Sequence, residues 1–365
     1  MHDLRSCWFT IQRSLFPALE EELGPLSDKE ERFVRVVALI DIGPWMTPYR
    51  WKFNGHKPSD RLAFVKAFIA KASWNFTTTR ALLDYLHSSP SLRRLCGWDR
   101  VADIPSESTF SRAFAAFASG QLPQLLHAAM IQAYLGPKLV GHISRDATAI
   151  PAREKPAPKP PPPPPEPKKK RGRPAKDEPP RPPKPPTRVM LQPNRSLAEN
   201  LADLPTACNV GCKRNSQGYQ ESWTGYKLHL DCADGDIPVS AILTSASLHD
   251  SQAAIPLAQL TAERVRNLYD LSDSAYDVPE ILAFSRHLGH VPLIDPHPRR
   301  TDAIPFDPAS KIRFRERSTA ERVNSNLKDN FGGLFVRVRG PAKVMAHLMF
   351  GLLALTATQL FNLLL

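Results

Sequence analysis

Residues 151–188 constrain the possible fold more than any other part of the chain. This stretch holds 17 of the 37 prolines and hardly any aliphatic residues. Proline lacks a backbone N–H and fixes φ, so a segment this rich in proline cannot build a helix or a sheet and should stay extended. We predict that residues 151–188 form a disordered insertion, and that the folded parts of the chain lie before and after it.

The insertion is also strongly basic. It carries 12 Lys and Arg against 4 Asp and Glu, which accounts for +8 of the net charge of +12. Its centre, Arg171-Gly172-Arg173-Pro174 with flanking lysines, resembles an AT-hook. The resemblance implies that Gly172 lets the backbone approach the floor of the minor groove while Arg171 and Arg173 reach along it, where A·T tracts are most negative. A solvated charged linker is the alternative interpretation.

The composition of the whole chain favours a cytoplasmic protein with a polyanionic partner. At 365 residues the chain is long enough for two folded units. Its 48 Lys and Arg exceed its 36 Asp and Glu, which favours a polyanionic partner, DNA or RNA ahead of a membrane surface. The five cysteines are scattered and odd in number, so we expect no disulfide framework. The N-terminus lacks the apolar core of a signal peptide, so we expect no export.

The longest apolar run is the C-terminal segment 345–365. Its length would permit a membrane span, but it contains His347, Gln359 and Asn362, and no second such segment exists in the sequence. We therefore expect a helix buried on all sides.

Residues 1–135 are predicted to form an all-α domain. Apolar residues recur with the 3.6-residue period of an amphipathic helix, for example in ERFVRVVALIDI and TRALLDYLHSS. Residues 92–118 are predicted to form two short helices, and the second could enter a DNA groove. Packing or dimerisation is the alternative role for this pair. The polar residues near the start of its second helix are Ser106, Ser108, Ser111 and Arg112.

Strand patterns begin just before the insertion and continue after it. KLVGHISRD is an apolar run that ends at Asp146, and YKLHLDC alternates as a half-buried strand does. A turn at residues 233–236 leads into IPVSAILTSAS, and two further strands, RNLYDLSDSAYD and HVPLID, flank the helical PEILAFSRHLG. Strands with intervening helices indicate an α/β domain with a mixed sheet flanked by helices. We place this domain at residues 136–150 and 189–365.

The segment after residue 313 is the most informative part of the sequence. It has few helix breakers, and we predict a helix from about Ser318 onward. Arg317, Glu321 and Lys328 then stand at i, i+4 and i+11, close to one face of that helix. A carboxylate flanked by two cations suits a group that holds a metal ion while its neighbours contact phosphates. Glu316 is the competing acid in this segment.

These residues resemble the signature of a large group of bacterial insertion-sequence transposases of the DDE type. That signature is tyrosine, two residues, arginine, three residues, glutamate, six residues and lysine. Arg317, Glu321 and Lys328 match it in identity and spacing, whereas Phe314 replaces the tyrosine and loses its hydroxyl.

Two aspartates complete the resemblance. The segment DSAYD is similar to the family's second aspartate motif, in which a tyrosine follows the aspartate by three residues. Tyr276 therefore favours Asp273 over its neighbours Asp270 and Asp277. Asp146, at the end of the first predicted strand, fits the first aspartate.

The resemblance implies a fold, a chemistry and a set of partners. The fold is RNase H-like, and two Mg²⁺ ions, or Mn²⁺ in their place, are held by Asp146, Asp273 and Glu321. In this family water attacks the phosphate at each element end, and the freed 3′ hydroxyl then attacks target DNA. A homodimer on DNA, within the bacterial nucleoid, is expected because two ends must be joined. The basic residues expected to contact DNA are Arg317, Lys328, Lys213 and Arg214.

Three alternatives stay open from the sequence. One is a nuclease of the same fold that cuts without transposing, and another is a non-catalytic DNA-binding protein from a decayed element. The third is a zinc site at Cys208, Cys212 and His229, for which a single Cys-x3-Cys pair is a poor signal.

Overall fold

The computed structural model describes residues 4–51, 53, 59–158, 185–214, 217–296 and 305–364. Helices fill the part before residue 135, which confirms its all-α character. The second of the two predicted short helices, α7, buries its phenylalanines and leaves Ser108, Ser111 and Arg112 exposed. The helices of this region are α1 Leu4–Thr10, α2 Phe16–Leu23, α3 Asp28–Leu39, α4 Arg61–Ser73, α5 Thr79–Ser88, α6 Pro90–Cys96, α7 Glu107–Ser119 and α8 Leu122–Tyr134.

A mixed six-stranded sheet follows the helices. Its central strand β3 pairs antiparallel with β1 on one side. On the other side, the first half of β3 pairs antiparallel with β2 and the second half pairs antiparallel with β4. Beyond β1 the sheet continues through β5 and β6, which pair in parallel. This arrangement confirms the RNase H-like fold. The strands are β1 Leu139–Pro151, β2 Asn209–Arg214, β3 Gln220–Ala233, β4 Ile237–Ser245, β5 Arg266–Ser272 and β6 Val291–Ile294.

The helices of the second region cover both faces of the sheet. The turn between β3 and β4 uses the left-handed backbone of Gly235 and Asp236, at φ +80° and +58°, where the sequence predicted a turn. The helices are α9 Arg188–Leu191, α10 Leu197–Asp203, α11 Ser251–Ala262, α12 Pro279–His287, α13 Pro308–Phe314, α14 Ser318–Asn330 and α15 Pro341–Asn362.

Helix α15 joins the two regions. Residues along its length, among them Phe350 and Leu353, belong to the same buried cluster as the helical region and the starts of β1 and β4. Others, among them Leu348 and Leu352, pack with α14 and the sheet. Among the described residues, α15 is the one helix long and apolar enough to cross a membrane, and 78% of its most apolar stretch is buried inside the protein. This burial is what we expected of the C-terminal apolar run.

A buried ion pair fixes β1 against β3. Arg145 and Asp231 stand opposite each other in the register of the two strands, and the guanidinium donates two hydrogen bonds of 2.8 and 2.7 Å to the carboxylate. Both side chains are buried, and the hydroxyl of Thr261 on α11 donates a further bond to Asp231. The backbone of the neighbouring residue Asp146 is thereby held in place.

Removing one member of this pair should be costly. We expect Asp231→Asn to lower the free energy of unfolding by about 3–5 kcal/mol, because Arg145 would stay buried without its countercharge. Urea unfolding of the purified protein measures the loss. The matched control is Asp236→Asn, which removes the carboxylate that pairs with the half-exposed Arg322 and should cost less than about 1 kcal/mol. Equal losses of stability for the two variants would contradict the conclusion that the buried Arg145–Asp231 pair fixes β1 against β3.

Candidate active site

Asp146 lies within β1 and not at its end. The strand was expected to stop at Asp146, but it continues to Pro151 because β3 pairs with it along the whole of that stretch. The parallel pairing with β5 does stop early, at Ser144 opposite Leu271. Asp146 therefore stands two residues beyond the last parallel pair, at the carboxyl edge of this part of the sheet.

Asp273 occupies the equivalent position after β5. It follows the strand directly and stands two residues beyond Leu271. Its carboxylate accepts a hydrogen bond of 2.9 Å from the N–H of Ala275, which closes the short helical turn after the strand. Because side chains alternate between faces with a period of two, Asp146 and Asp273 share one face of the sheet.

Helix α14 lies along β1 on that face. The hydroxyl of Ser144 donates to the carbonyl of Arg317 and accepts from the N–H of Ala320. Four residues further along the helix, Asn324 contacts Asp146. The last contact is a hydrogen bond of 2.5 Å from the ammonium of Lys328 to the hydroxyl of Thr148. Alternate residues of β1 thus meet successive turns of α14.

Glu321 lies on the solvent side of the contact between α14 and β1. Its carboxylate accepts a hydrogen bond of 2.7 Å from Nη1 of Arg317, one turn earlier, and about half of its side chain is exposed. Within the part of the chain that the structure describes, no three acidic, histidine or cysteine side chains stand at metal-binding distances from one point. Glu321 is near the two aspartates but is turned toward Arg317.

Asp146 is repelled by both of the other carboxylates. Burial raises the pKa of Asp146 to about 6, and the negative charges of Asp273 and Glu321 add to the effect, while a hydrogen bond from Asn324 acts against it. Burial also raises the pKa of Asp273, with a further contribution from Asp250. Such a cluster holds more negative charge than its surroundings neutralise, which favours a bound cation.

Two basic residues border the acids. Burial lowers the pKa of Lys328, and the charge of nearby Lys213 lowers it further. Lys213 and Arg214 are exposed at the end of β2, where Lys213 lies 3.7 Å from Glu221. The structure thus brings Lys213 toward the acids, although it is remote from them in sequence.

Asn324 is a site residue that the sequence reading missed. Its amide nitrogen donates a hydrogen bond of 2.9 Å to Asp146. Its oxygen Oδ1 is buried and has no hydrogen-bond partner among the described residues. Asn324 stands three residues after Glu321, so the helical spacing that grouped Arg317, Glu321 and Lys328 contained the signal.

Phe314 shows what replaces the tyrosine of the signature. Its ring packs on Phe306, with ring centres 5.1 Å apart, and the guanidinium of Arg317 lies 5.8 Å from the ring centre. A phenylalanine therefore still supports the arginine of the signature through packing and a cation–π contact.

Competing residues lie elsewhere. Asp270 is buried and bonded to Ser285 and Asn267, so it serves the core under α12. Cys208 is buried and Cys212 exposed, and His229 is bonded to Thr244 inside the sheet. These three residues form no metal-binding group in the described chain. The AT-hook-like residues Arg171, Gly172, Arg173 and Pro174 lie outside the described residues.

Comparison with known proteins agrees with the fold. The fold defines an RNase H-like protein. A transposase domain (DUF772) matches residues 21–116, and the transposase DDE domain matches residues 209–357, which include Asp273 and Glu321. The chain therefore belongs to the insertion-sequence DDE transposases, and its function is DNA transposition. No curated protein and no solved structure matches the chain.

The raised pKa of Asp146 predicts an unusual pH dependence. The folded protein holds this proton more tightly than the unfolded chain, so the repulsion is absent near pH 4 and fully present above pH 6. We expect Asp146→Asn to stabilise the metal-free protein at pH 7 by up to about 3 kcal/mol, and to have little effect at pH 4. Thermal unfolding in EDTA across this range measures the difference.

The control for this experiment is Glu316→Gln, which changes an exposed acid in the turn directly before α14. It should leave stability nearly unchanged at both pH values. A destabilising Asp146→Asn at pH 7 would mean that the carboxylate is held by favourable contacts and not by repulsion.

Proposed function

We propose that Asp146, Asp273 and Glu321 are the catalytic carboxylates of this transposase. With them the enzyme cuts phosphodiester bonds at the ends of its insertion sequence and joins those ends to target DNA. The observation that carries the proposal is the placement of the acids: Asp146 and Asp273 stand two residues beyond the last parallel pair of β1 and β5, and α14, which carries Glu321, contacts Asp146 through Asn324. Burial and the charges of the other two acids raise the pKa of Asp146, in keeping with this placement. Structural acids are normally paired, as Asp231 is with Arg145.

The donor set fits Mg²⁺, with Mn²⁺ as a substitute. Carboxylate oxygens are the ligands that Mg²⁺ prefers, and the unpartnered Oδ1 of Asn324 adds a hard oxygen beside them. Asp146 and Asp273 would hold the ions from the sheet, and Glu321 from α14. Two bound Mg²⁺ ions would activate the attacking oxygen and stabilise the leaving oxygen.

The chain's own residues then have distinct roles. Asn324 orients Asp146 through the hydrogen bond to its carboxylate. Arg317 holds Glu321 and, once that carboxylate turns to the site, is free to contact a phosphate. Lys328 lies next to the acids and is tethered to Thr148, so it supplies a fixed positive charge for the scissile strand. Lys213 and Arg214 extend this positive surface along β2.

The reaction has two steps that use the same site. Water first attacks the phosphate at the element end and releases a 3′ hydroxyl. That hydroxyl then attacks a phosphate of the target DNA, which breaks one target bond for each new bond. Neither step needs a covalent bond to the enzyme. Two ends must be joined, so we propose that the enzyme acts as a homodimer on DNA, in the bacterial cytoplasm at the nucleoid.

We further propose that the basic insertion binds DNA through Arg171, Gly172, Arg173 and Pro174. Both of its attachment points belong to the domain that carries the acids. The insertion leaves the sheet at Pro151, and the returning chain packs Val189 in the same buried cluster as Tyr276, next to Asp273. DNA held by the insertion would therefore lie near the catalytic edge. The helical region of residues 1–135 is proposed to add DNA contacts or the dimer interface.

The carboxylates can be tested with labelled element ends. We expect Asp146→Asn, Asp273→Asn and Glu321→Gln each to reduce cleavage and strand transfer by at least about a hundredfold, because each removes a metal ligand. DNA binding in EDTA should be retained. Gel analysis of Mg²⁺-dependent products measures both reactions.

Two neighbouring acids serve as controls. Glu316→Gln lies one turn from Glu321, and Asp277→Asn lies four residues after Asp273; both should keep wild-type rates. Cleavage without strand transfer in the wild type would favour a nuclease, and binding without cleavage would favour a decayed element. Unchanged strand transfer by Glu321→Gln would refute the site assignment.

We predict that DNA binding by the insertion and DNA cutting by the carboxylates are separable. The double substitution Arg171→Ala and Arg173→Ala should weaken binding to an A·T-rich duplex by roughly tenfold and reduce the salt slope of binding by about 2, since two cations are lost. Cleavage of bound DNA should continue. Fluorescence anisotropy at several salt concentrations measures the change, and Arg286→Ala, on the exposed side of α12, is the control. Equal affinities would mean that the insertion is only a linker.

A further inference from the structure

A second positively charged site lies away from the carboxylates, where the helical region meets α15. It is a cleft of about 300 Å³ between the end of α4, the start of α5, the side of α7 and the segment that follows α14. We define it as the Lys71 cleft. Its charged lining residues are the cations Lys71 and Arg337 and the acid Glu107, and hydroxyl side chains, among them Thr77, Thr79 and Ser111, also line it. Its volume is at the lower end of the range for small-molecule sites, roughly 300–1,000 Å³.

The two cations of the cleft lack a carboxylate partner. Within the described residues, the hydroxyls of Thr77, Thr79 and Ser111 have no hydrogen-bond partner, and no carboxylate pairs with Lys71 or Arg337. The one acid at the rim, Glu107, lies 3.5 Å from Arg80. An anion in this cleft, such as a phosphate, would supply the negative charge that Lys71 and Arg337 lack, and it could accept hydrogen bonds from the hydroxyls.

The positive charges of Lys71 and Arg337 repel each other in the cleft. Burial lowers the pKa of Lys71 to about 8, and the charge of Arg337 adds to the effect. His347, on α15, is buried and bonded to the carbonyl of Gly332. Its imidazole carries no negative charge that could compensate for the two cations. An anion between Lys71 and Arg337 would remove this repulsion.

We propose that the Lys71 cleft binds a backbone phosphate of DNA. The proposal rests on the proposed function only in taking DNA as the partner. A polymer of phosphates is favoured over a single small anion because positive charge continues outside the cleft. Arg112 is exposed on α7 one residue after Ser111, whereas Arg80, at the start of α5, shares its charge with Glu107. Arg112 thus adds positive charge outside the cleft to that of Lys71 and Arg337.

The cleft is physically connected to the catalytic helix. Asn75, in the turn between α4 and α5, donates a hydrogen bond of 2.7 Å to the carbonyl of Asp329 near the end of α14. The N–H of Gly332, a residue that lines the cleft, donates a bond of 3.0 Å to Asn75. DNA held here is thereby positioned relative to the helix that carries Glu321.

Binding measurements without cleavage test the proposal. Lys71→Gln and Arg337→Gln are compared with the wild type by fluorescence anisotropy on a labelled mixed-sequence duplex, in EDTA and at several salt concentrations. Each variant should bind about three- to tenfold more weakly and reduce the salt slope by about 1, as expected for one lost phosphate contact. Lys29→Gln, an exposed lysine on α3, is the matched control and should leave both quantities unchanged. Thermal unfolding of each variant verifies that it is folded.

A measurement with inorganic phosphate distinguishes a site for DNA from a site for a small anion. If millimolar phosphate stabilises the wild type but not Lys71→Gln, while both bind the duplex equally, the cleft is a small-anion site and the proposal is overturned. Equal affinity and equal salt slope for all folded variants also overturn it. Because these measurements need no metal and no product, a failure of the catalytic assignment would appear only in the cleavage assays and would leave this result interpretable.

Discussion

The burial of α15 is the constraint on which the rest of the molecule depends. This helix is apolar on nearly every side, so it must be surrounded, and neither the helical region nor the sheet alone covers it. Residues around Phe350 pack on α4, α7 and α8, while Leu348 and Leu352 pack on α14 and the sheet. The same burial holds α14 between α15 and β1, and so fixes the position of this helix relative to Asp146.

Local patterns in the sequence predicted much of this arrangement. The helical period grouped Arg317, Glu321 and Lys328, and the alternation of β3 and the turn after it were recognisable because both are short-range features. The end of β1 was predicted wrongly, because the length of a strand depends on its partner, and β3 continues to pair as far as Pro151. The Lys71 cleft could not be predicted at all, since Lys71 and Arg337 are brought together only by tertiary packing.

The acids near the sheet edge illustrate a conflict between stability and function. Arg145 and Asp231 sit on the neighbouring strands as a fully paired, buried couple, while Asp146, one residue along, faces two other carboxylates. Alternation along β1 sends the paired residue to one face and the unpaired one to the other. A single strand thus carries both a strong structural contact and a repulsive centre. The pair on one face helps the fold to tolerate the repulsion on the other.

The Arg317–Glu321 contact differs from the rest of the site in its strength. It is an ion pair between neighbouring turns with half of the glutamate exposed, a type of contact that contributes only about 0.3–0.5 kcal/mol. This is less than the thermal energy RT, which is about 0.6 kcal/mol at room temperature. Asp146 is fixed by a strand that pairs on one side throughout, so the two aspartates form a rigid half of the site. Glu321 can exchange partners by side-chain rotation alone, which makes it the adjustable carboxylate of the proposed site on a rigid backbone.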